Sequence, residues 1–207
     1  MGGYERLFYN ENPFGERTRK QRAALALFNS APFDEHLKNA SPTSRKAVQL
    51  MGEKGRGKST RLLALSQRKG AHYFRASRDD IETVPKRVPL LLLDELHLAP
   101  FMRKRALYKR SDALVVSTHR NLFASLTRAG FDVLCLRVQN TSAKDICEIF
   151  RRRIEDVRFD KRAANFELTH AEVLVATFGD DIRAMESHLY ECVQNAKSPA
   201  ECFATLL

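Results

Sequence analysis

Gly52-Glu53-Lys54-Gly55-Arg56-Gly57-Lys58-Ser59-Thr60 fits the pattern G-x-x-x-x-G-K-[ST], and its surroundings decide the fold. An apolar run, Ala47-Val48-Gln49-Leu50-Met51, leads in, and a helical pattern through Leu62, Leu63 and Leu65 leads out. Strand, loop, helix is the context in which such a string becomes a site. The glycines let successive backbone N–H groups turn inward around an anion, and the following helix adds its positive end. Lys58 is spaced to reach the β- and γ-phosphates, and the Ser59 hydroxyl to hold Mg²⁺. A basic glycine-rich turn with no ligand is the alternative, and the flanking strand and helix weigh against it. The stretch predicts a nucleoside triphosphate site lined by residues 52 to 60.

The chain of 207 residues is long enough to bury a real core, and its 43% hydrophobic and 29% charged content is that of an ordinary globular protein. No apolar run approaches the roughly 20 residues of a membrane helix. The first residues lack the apolar stretch of a secretory signal. Cys135, Cys147, Cys192 and Cys202 show no metal-ligand spacing, so reduced thiols and a cytoplasmic setting are expected. With 35 basic against 25 acidic residues the net charge is +10, which favours polyanionic partners without naming one. A basic surface that serves only solubility reads the same way.

Along the chain, residues 1 to 45 form a polar, basic lead-in with a helix predicted over Arg19–Phe28. Strands are predicted at Ala47–Met51, Ala71–Ala76, Val88–Leu93, Ala113–Ser117 and Asp132–Val138. Helices are predicted between them over Lys58–Gln67, Phe101–Tyr108 and Leu122–Arg128. The alternation argues a five-stranded parallel α/β sheet, residues 46 to 140, with helices on both faces. Beyond residue 140 the pattern turns helical. Ile146, Ile149, Phe150, Ile154 and Val157 recur at helical spacing, as do Ile182, Met185, Leu189 and Val193. A small all-helical domain over 141 to 207 follows.

Leu90-Leu91-Leu92-Leu93-Asp94-Glu95 ends a buried strand in two carboxylates. Strand alternation points them in different directions, so they can take separate jobs. Asp94 belongs behind the Mg²⁺ shell, and Glu95 where a carboxylate polarises the water that attacks the γ-phosphate. A solvated acidic pair at a strand end is the bland alternative. Ser117-Thr118-His119 ends the fourth strand, where Thr118 or His119 could touch the γ-phosphate or the attacking water. Two basic clusters, Arg103-Lys104-Arg105 with Lys109-Arg110 and Arg151-Arg152-Arg153, are candidate phosphate-backbone patches. The second is more readily a solvated helix face.

In this order the motifs resemble those of the AAA+ ATPases. Gly52–Thr60 looks like their Walker A and Leu90–Glu95 like their Walker B. Asp94-Glu95-Leu96-His97 is similar to the D-E-x-H of several DNA-linked branches. Ser117-Thr118-His119 stands at the place of sensor 1, with histidine where many members carry asparagine. Gly179-Asp180-Asp181-Ile182-Arg183 resembles sensor 2, which implies that Arg183 contacts the nucleotide. Arg128 occupies the place of the arginine finger, which acts on a neighbouring subunit's nucleotide. Asn12-Pro13-Phe14 is similar to the lead-in of some bacterial members linked to secretion and transposition, and packing of Phe14 near the adenine is one role it admits.

The resemblance implies a homo-oligomeric ring or filament that binds ATP and Mg²⁺ and hydrolyses ATP at subunit interfaces. Glu95, Lys58, Arg128, Thr118 and His119 are its candidate catalytic residues. Gly52, Glu53, Lys54, Gly55, Arg56, Gly57, Lys58, Ser59, Thr60 and Arg183 bind nucleotide, and Ser59 and Asp94 hold the metal. Charge and the D-E-x-H string favour action on DNA or another nucleic acid, in the manner of helicase loaders and transposition regulators. A protein-remodelling or regulatory switch acting on a protein effector competes with it. A small-molecule kinase is disfavoured, because Asp94-Glu95 suits water activation and no acceptor-binding region is evident.

Overall fold

The computed structural model describes residues 3–138 and 141–206. The chain forms two compact units, Arg22–Val138 and Met1–Gln21 with Gln139–Leu207. The lead-in expected at 1 to 45 is therefore shared between the units, and the expected boundary at residue 140 lies outside the described residues.

The first unit is a parallel α/β sheet. In chain order it carries α2 (Ala31–Leu37), β1 (Arg45–Met51), α3 (Lys58–Leu65), β2 (Ala71–Arg75) and β3 (Leu90–Asp94). It continues with α4 (Phe101–Tyr108), β4 (Ala113–Thr118), α5 (Phe123–Arg128) and β5 (Phe131–Arg137). A short α1 (Arg19–Ala24) straddles the division between the units. The sheet order is β2-β3-β4-β1-β5 and every pairing is parallel. β4 thus lies between the strand that feeds the glycine loop and the strand that ends in Asp94.

The apolar runs read as strands because they are covered on both faces. Leu91 and Leu93 pack with Leu107, Leu114, Val116 and Leu126, beneath α4 and α5. Leu92, one residue out of phase, packs with Phe33, Val48, Leu50, Leu62 and Val115, beneath α2 and α3. Each such leucine contributes roughly 1.5–3 kcal/mol on burial. Helix α2 has no counterpart in the sequence reading; Pro32 in its first turn is the local signal for it.

The helical unit contains α6 (Ala143–Val157), α7 (Leu168–Phe178) and α8 (Ile182–Asn195). Ser142 and Asp145 form a reciprocal capping box that starts α6. Ile146, Phe150, Ile154 and Val157 line its buried stripe, and Met185, Leu189 and Val193 that of α8. The N-terminal segment completes this core. Leu7, Tyr9 and Phe14 are buried in it, and Phe14 meets Phe150 and Phe203 edge-on at 5.5 and 6.3 Å. Tyr9 bridges Arg158, and Asn12 donates Nδ2–H to the Tyr190 carbonyl at 3.1 Å. Phe14, read in the sequence as a possible neighbour of an adenine, is enclosed by protein. Among the described residues no helix is long and apolar enough to cross a membrane.

Candidate nucleotide site

The loop between β1 and α3 is shaped by its glycines. Gly55 and Gly57 have φ of 84° and 76°, a region that other residues enter only with strain. Gly52 is needed for another reason, since a Cβ there would lie 2.6 Å from the Val138 carbonyl oxygen. Lys58 folds back into the loop and donates its ammonium to the Gly52 carbonyl at 2.7 Å and to the Glu53 carbonyl. Arg56 pairs with Glu53 at 3.3 Å across the outer turn. Arg22, from α1, donates to Thr60 Oγ1 at 3.2 Å, a contact the loop pattern gave no reason to expect.

Strand register brings the other motifs to the same level. Met51 stands opposite Thr118, and Leu93 opposite Val116, so the residues after each pair meet at the strands' C-terminal edge. Asp94 is buried there and accepts three side-chain hydroxyls. Its Oδ1 takes the Ser59 hydroxyl at 3.1 Å and the Ser117 hydroxyl, and its Oδ2 takes the Tyr73 hydroxyl at 2.6 Å. Ser59 and Asp94 offer hard oxygens side by side. That fits Mg²⁺, which takes few protein ligands and keeps water and phosphate oxygens for the rest.

Glu95 is positioned differently. Its backbone is left-handed, with φ of 54°, and its N–H is held by Asp94 Oδ1 and Ser117 Oγ. Its carboxylate receives Arg75 Nε at 2.9 Å and Arg75 Nη2 at 2.8 Å, and Ser77 donates a further hydroxyl. The hydrogen bonds from Arg75 hold the Glu95 carboxyl down at about 2, against the opposing effect of burial. Arg75 is pushed above its ordinary value, chiefly by the same bonds. Glu95 is thus ionised and engaged at both oxygens. Neither Arg75 nor Ser77 was a sequence candidate; a basic residue at the end of the strand beside β3 is the only signal.

At the end of β4 the pleat separates the candidates. Ser117 faces Asp94, and Thr118 lies on the opposite face of the strand. Thr118 Oγ1 donates to the Arg120 carbonyl at 2.8 Å and accepts the Arg120 N–H at 2.9 Å. Its hydroxyl closes the turn onto Arg120. His119 is exposed and meets the His97 ring edge-on at 4.9 Å. Burial first, then the Lys58 charge, pulls the His119 imidazole below its ordinary value despite a hydrogen bond with the Gly52 backbone. His97 is lowered too, by burial and then by His119, and its Nδ1 is buried without a partner. Both rings are neutral near pH 7, beside the loop and beside Glu95.

Two arginines complete the candidates. Arg128 is exposed in the last turn of α5. Arg183 is exposed in the first turn of α8, where Asp181 caps the helix and Gly179, with φ of 62°, ends α7. The basic clusters are less free than their sequence suggests. Arg103 donates to the Asp79 carbonyl and Arg110 to the Val84 carbonyl. Arg151 donates to the Phe166 carbonyl, Arg152 pairs with Glu148, and Arg153 pairs with Glu186 at 2.9 Å.

A parallel five-stranded sheet with a glycine loop after β1, paired carboxylates at the end of β3 and helices after the sheet defines a class: the chain has the AAA+ P-loop fold. Solved structures agree. The fold is similar to that of Thermotoga maritima RuvB, a Holliday junction branch migration motor, at 18% identity and a TM-score of 0.56, over 93% of this chain and 68% of that one. It is similar to Cdc6p from Pyrobaculum aerophilum at 16% identity and a TM-score of 0.53, over 93% of this chain and 65% of that one. It is also similar to Brucella abortus NtrX in complex with ADP, at 15% identity and 0.53, over 91% and 57%. No protein-family model and no curated protein matches the sequence.

Proposed function

We propose that this chain is an ATPase that binds Mg-ATP in the Gly52–Thr60 loop, hydrolyses it between assembled copies and acts on nucleic acid. The observation that carries the reading is the junction of Ser59 with Asp94 at 3.1 Å, next to a second carboxylate on the following residue. That junction sets two hard oxygens and a second carboxylate at one end of the sheet, beside the glycine loop, which supports the reading. Mg²⁺ would neutralise charge on the β- and γ-phosphates, and Ser59 and Asp94 would hold it. Lys58 would leave the loop carbonyls for phosphate oxygens. Glu95 would orient and polarise the attacking water once Arg75 lets it go, and neutral His119 would hydrogen-bond near the γ-phosphate. As the resemblance implies, Arg183 would contact the nucleotide and Arg128 would serve the neighbouring copy's site.

Nucleic acid is supported by the +10 net charge and by the fold's likeness to a branch migration motor. The test is ATP affinity and turnover in two variants. Lys58→Ala should lose binding, whereas Glu95→Gln should bind as wild type and lose turnover by roughly 10²–10⁴-fold. Wild-type turnover in Glu95→Gln would remove Glu95 from the reaction.

A further inference from the structure

Few large apolar side chains of the sheet unit are exposed, and most of those cluster in one place. Leu98, Phe101 and Met102 are 56%, 68% and 70% exposed, against 45% for Phe123 elsewhere on the unit. All three lie within seven residues of Glu95, on the turn Leu96–Leu98 and the first turn of α4. The turn is well formed, with Leu98 N–H donating to the Glu95 carbonyl at 2.9 Å and Ala99 N–H to that of Leu96 at 3.1 Å. The ridge is therefore a built feature of the surface and not a frayed end.

Cations flank it. Arg105 and Lys109 are exposed and follow Phe101 at four-residue spacing, along one row of the helix. Lys104 donates to the His97 carbonyl at 3.4 Å, and burial and then the Arg120 charge pull its ammonium below the ordinary value. Arg120 is exposed at the end of β4. Arg105 and Lys109 thus set exposed cations on the same helical row as an exposed aromatic ring. Phosphates would pair with those cations, and a purely apolar partner would leave them unmatched.

We infer that the surface formed by Leu98, Phe101, Met102, Lys104, Arg105 and Lys109 binds single-stranded nucleic acid, with an unpaired base on Phe101 and phosphates on the flanking cations. An open ring beside a basic row is how strands are bound without sequence choice, because every base has a π-face. In a duplex the base faces are stacked on each other and out of reach of Phe101, so the surface selects single strands. Arg103, inside the same run, is excluded: it is spent on the Asp79 carbonyl and the Phe74 ring. The inference rests on the nucleic-acid part of the function proposed above.

The experiment is fluorescence anisotropy of labelled oligo(dT) and of a labelled duplex with the full chain, in an ATP-containing buffer and over a salt series. Phe101→Ala should weaken oligo(dT) binding about tenfold, leave the salt slope and ATP affinity unchanged, and keep the wild-type circular dichroism. Lys104→Gln with Arg105→Gln should reduce the slope of log affinity against log salt by about 0.7 per cation removed. Phe123→Ala should bind as wild type. Equal oligo(dT) affinity in wild type and Phe101→Ala would overturn the inference, as would tighter wild-type binding to duplex than to oligo(dT). A wild-type protein that hydrolyses ATP but binds neither probe would overturn the nucleic-acid function itself and assign this surface to a protein partner.

Discussion

Arg75, the last residue of β2, closes a two-point ion pair on Glu95, with Nε and Nη2 at 2.9 and 2.8 Å from the two carboxylate oxygens. The two residues are twenty apart in sequence and meet because β2 and β3 are neighbours in register, with Arg75 opposite Asp94. A carboxylate held in this way has part of its acceptor capacity already taken, and its carboxyl pKa of about 2 makes it a poor base.

Breaking the pair should therefore raise basal activity. In Arg75→Ala, Glu95 is freed and its pKa returns toward the ordinary 4.5. Basal ATP turnover should rise by roughly tenfold, since gained basicity is passed only partly into rate. The acid limb of the kcat profile should move up in pH at the same time. Turnover that stays level or falls, with ATP affinity intact, would make Arg75 a structural residue only.

The same pair predicts how stability depends on pH. A carboxyl lowered on folding contributes stability that is fully present above its unfolded value, here 4.5, and is lost as pH falls through about 2. The wild-type melting temperature should then fall more steeply than that of Arg75→Ala between pH 4.5 and 2. His97 and His119, both lowered, also cost stability below 6.5, but equally in the two proteins. Parallel melting curves across that range would show that the ion pair adds nothing to folding.

Arg128 should act between copies. Arg128→Ala is expected to keep ATP binding and lose turnover by about 10³-fold, the scale of an arginine supplied in trans. Mixing Arg128→Ala with Lys58→Ala should restore part of the activity, because each keeps the half-site that the other lacks. Specific activity that is independent of protein concentration, with no rescue on mixing, would remove Arg128 from the mechanism.

Phe14 should be a stability residue of the helical unit. Its ring is buried against Phe150 and Phe203, so Phe14→Ala should cost about 3–5 kcal/mol. Thermal melting followed by circular dichroism, with protease mapping of the first cut, should place the loss in the helical unit. A variant that melts with wild type would put Phe14 outside the core.

Local pattern alone determined the glycine loop, the acidic end of β3 and the existence and type of all five strands. Those signals are contiguous: a loop needs its glycines at fixed offsets, and a strand covered on both faces needs an unbroken apolar run. The helices α3 to α6 and α8 were legible for the same reason, as periodic stripes ended by glycine, proline or a cap. What the tertiary structure decided is which side chains meet. Whether Ser117 or Thr118 faces Asp94 depends on the phase of the pleat, which one residue of register would reverse. That Arg75 holds Glu95, and that β4 separates β1 from β3, depends on strand order, which no window of sequence contains. Phe14 reads as a loop aromatic until a helix more than 130 residues away covers it. The arginine runs read as open charge until Asp79, Val84, Phe166 and Glu186 take their donors. Pairing across the fold is settled by the lowest free energy of the whole chain, and so the partners of a polar side chain are the last thing a sequence reveals.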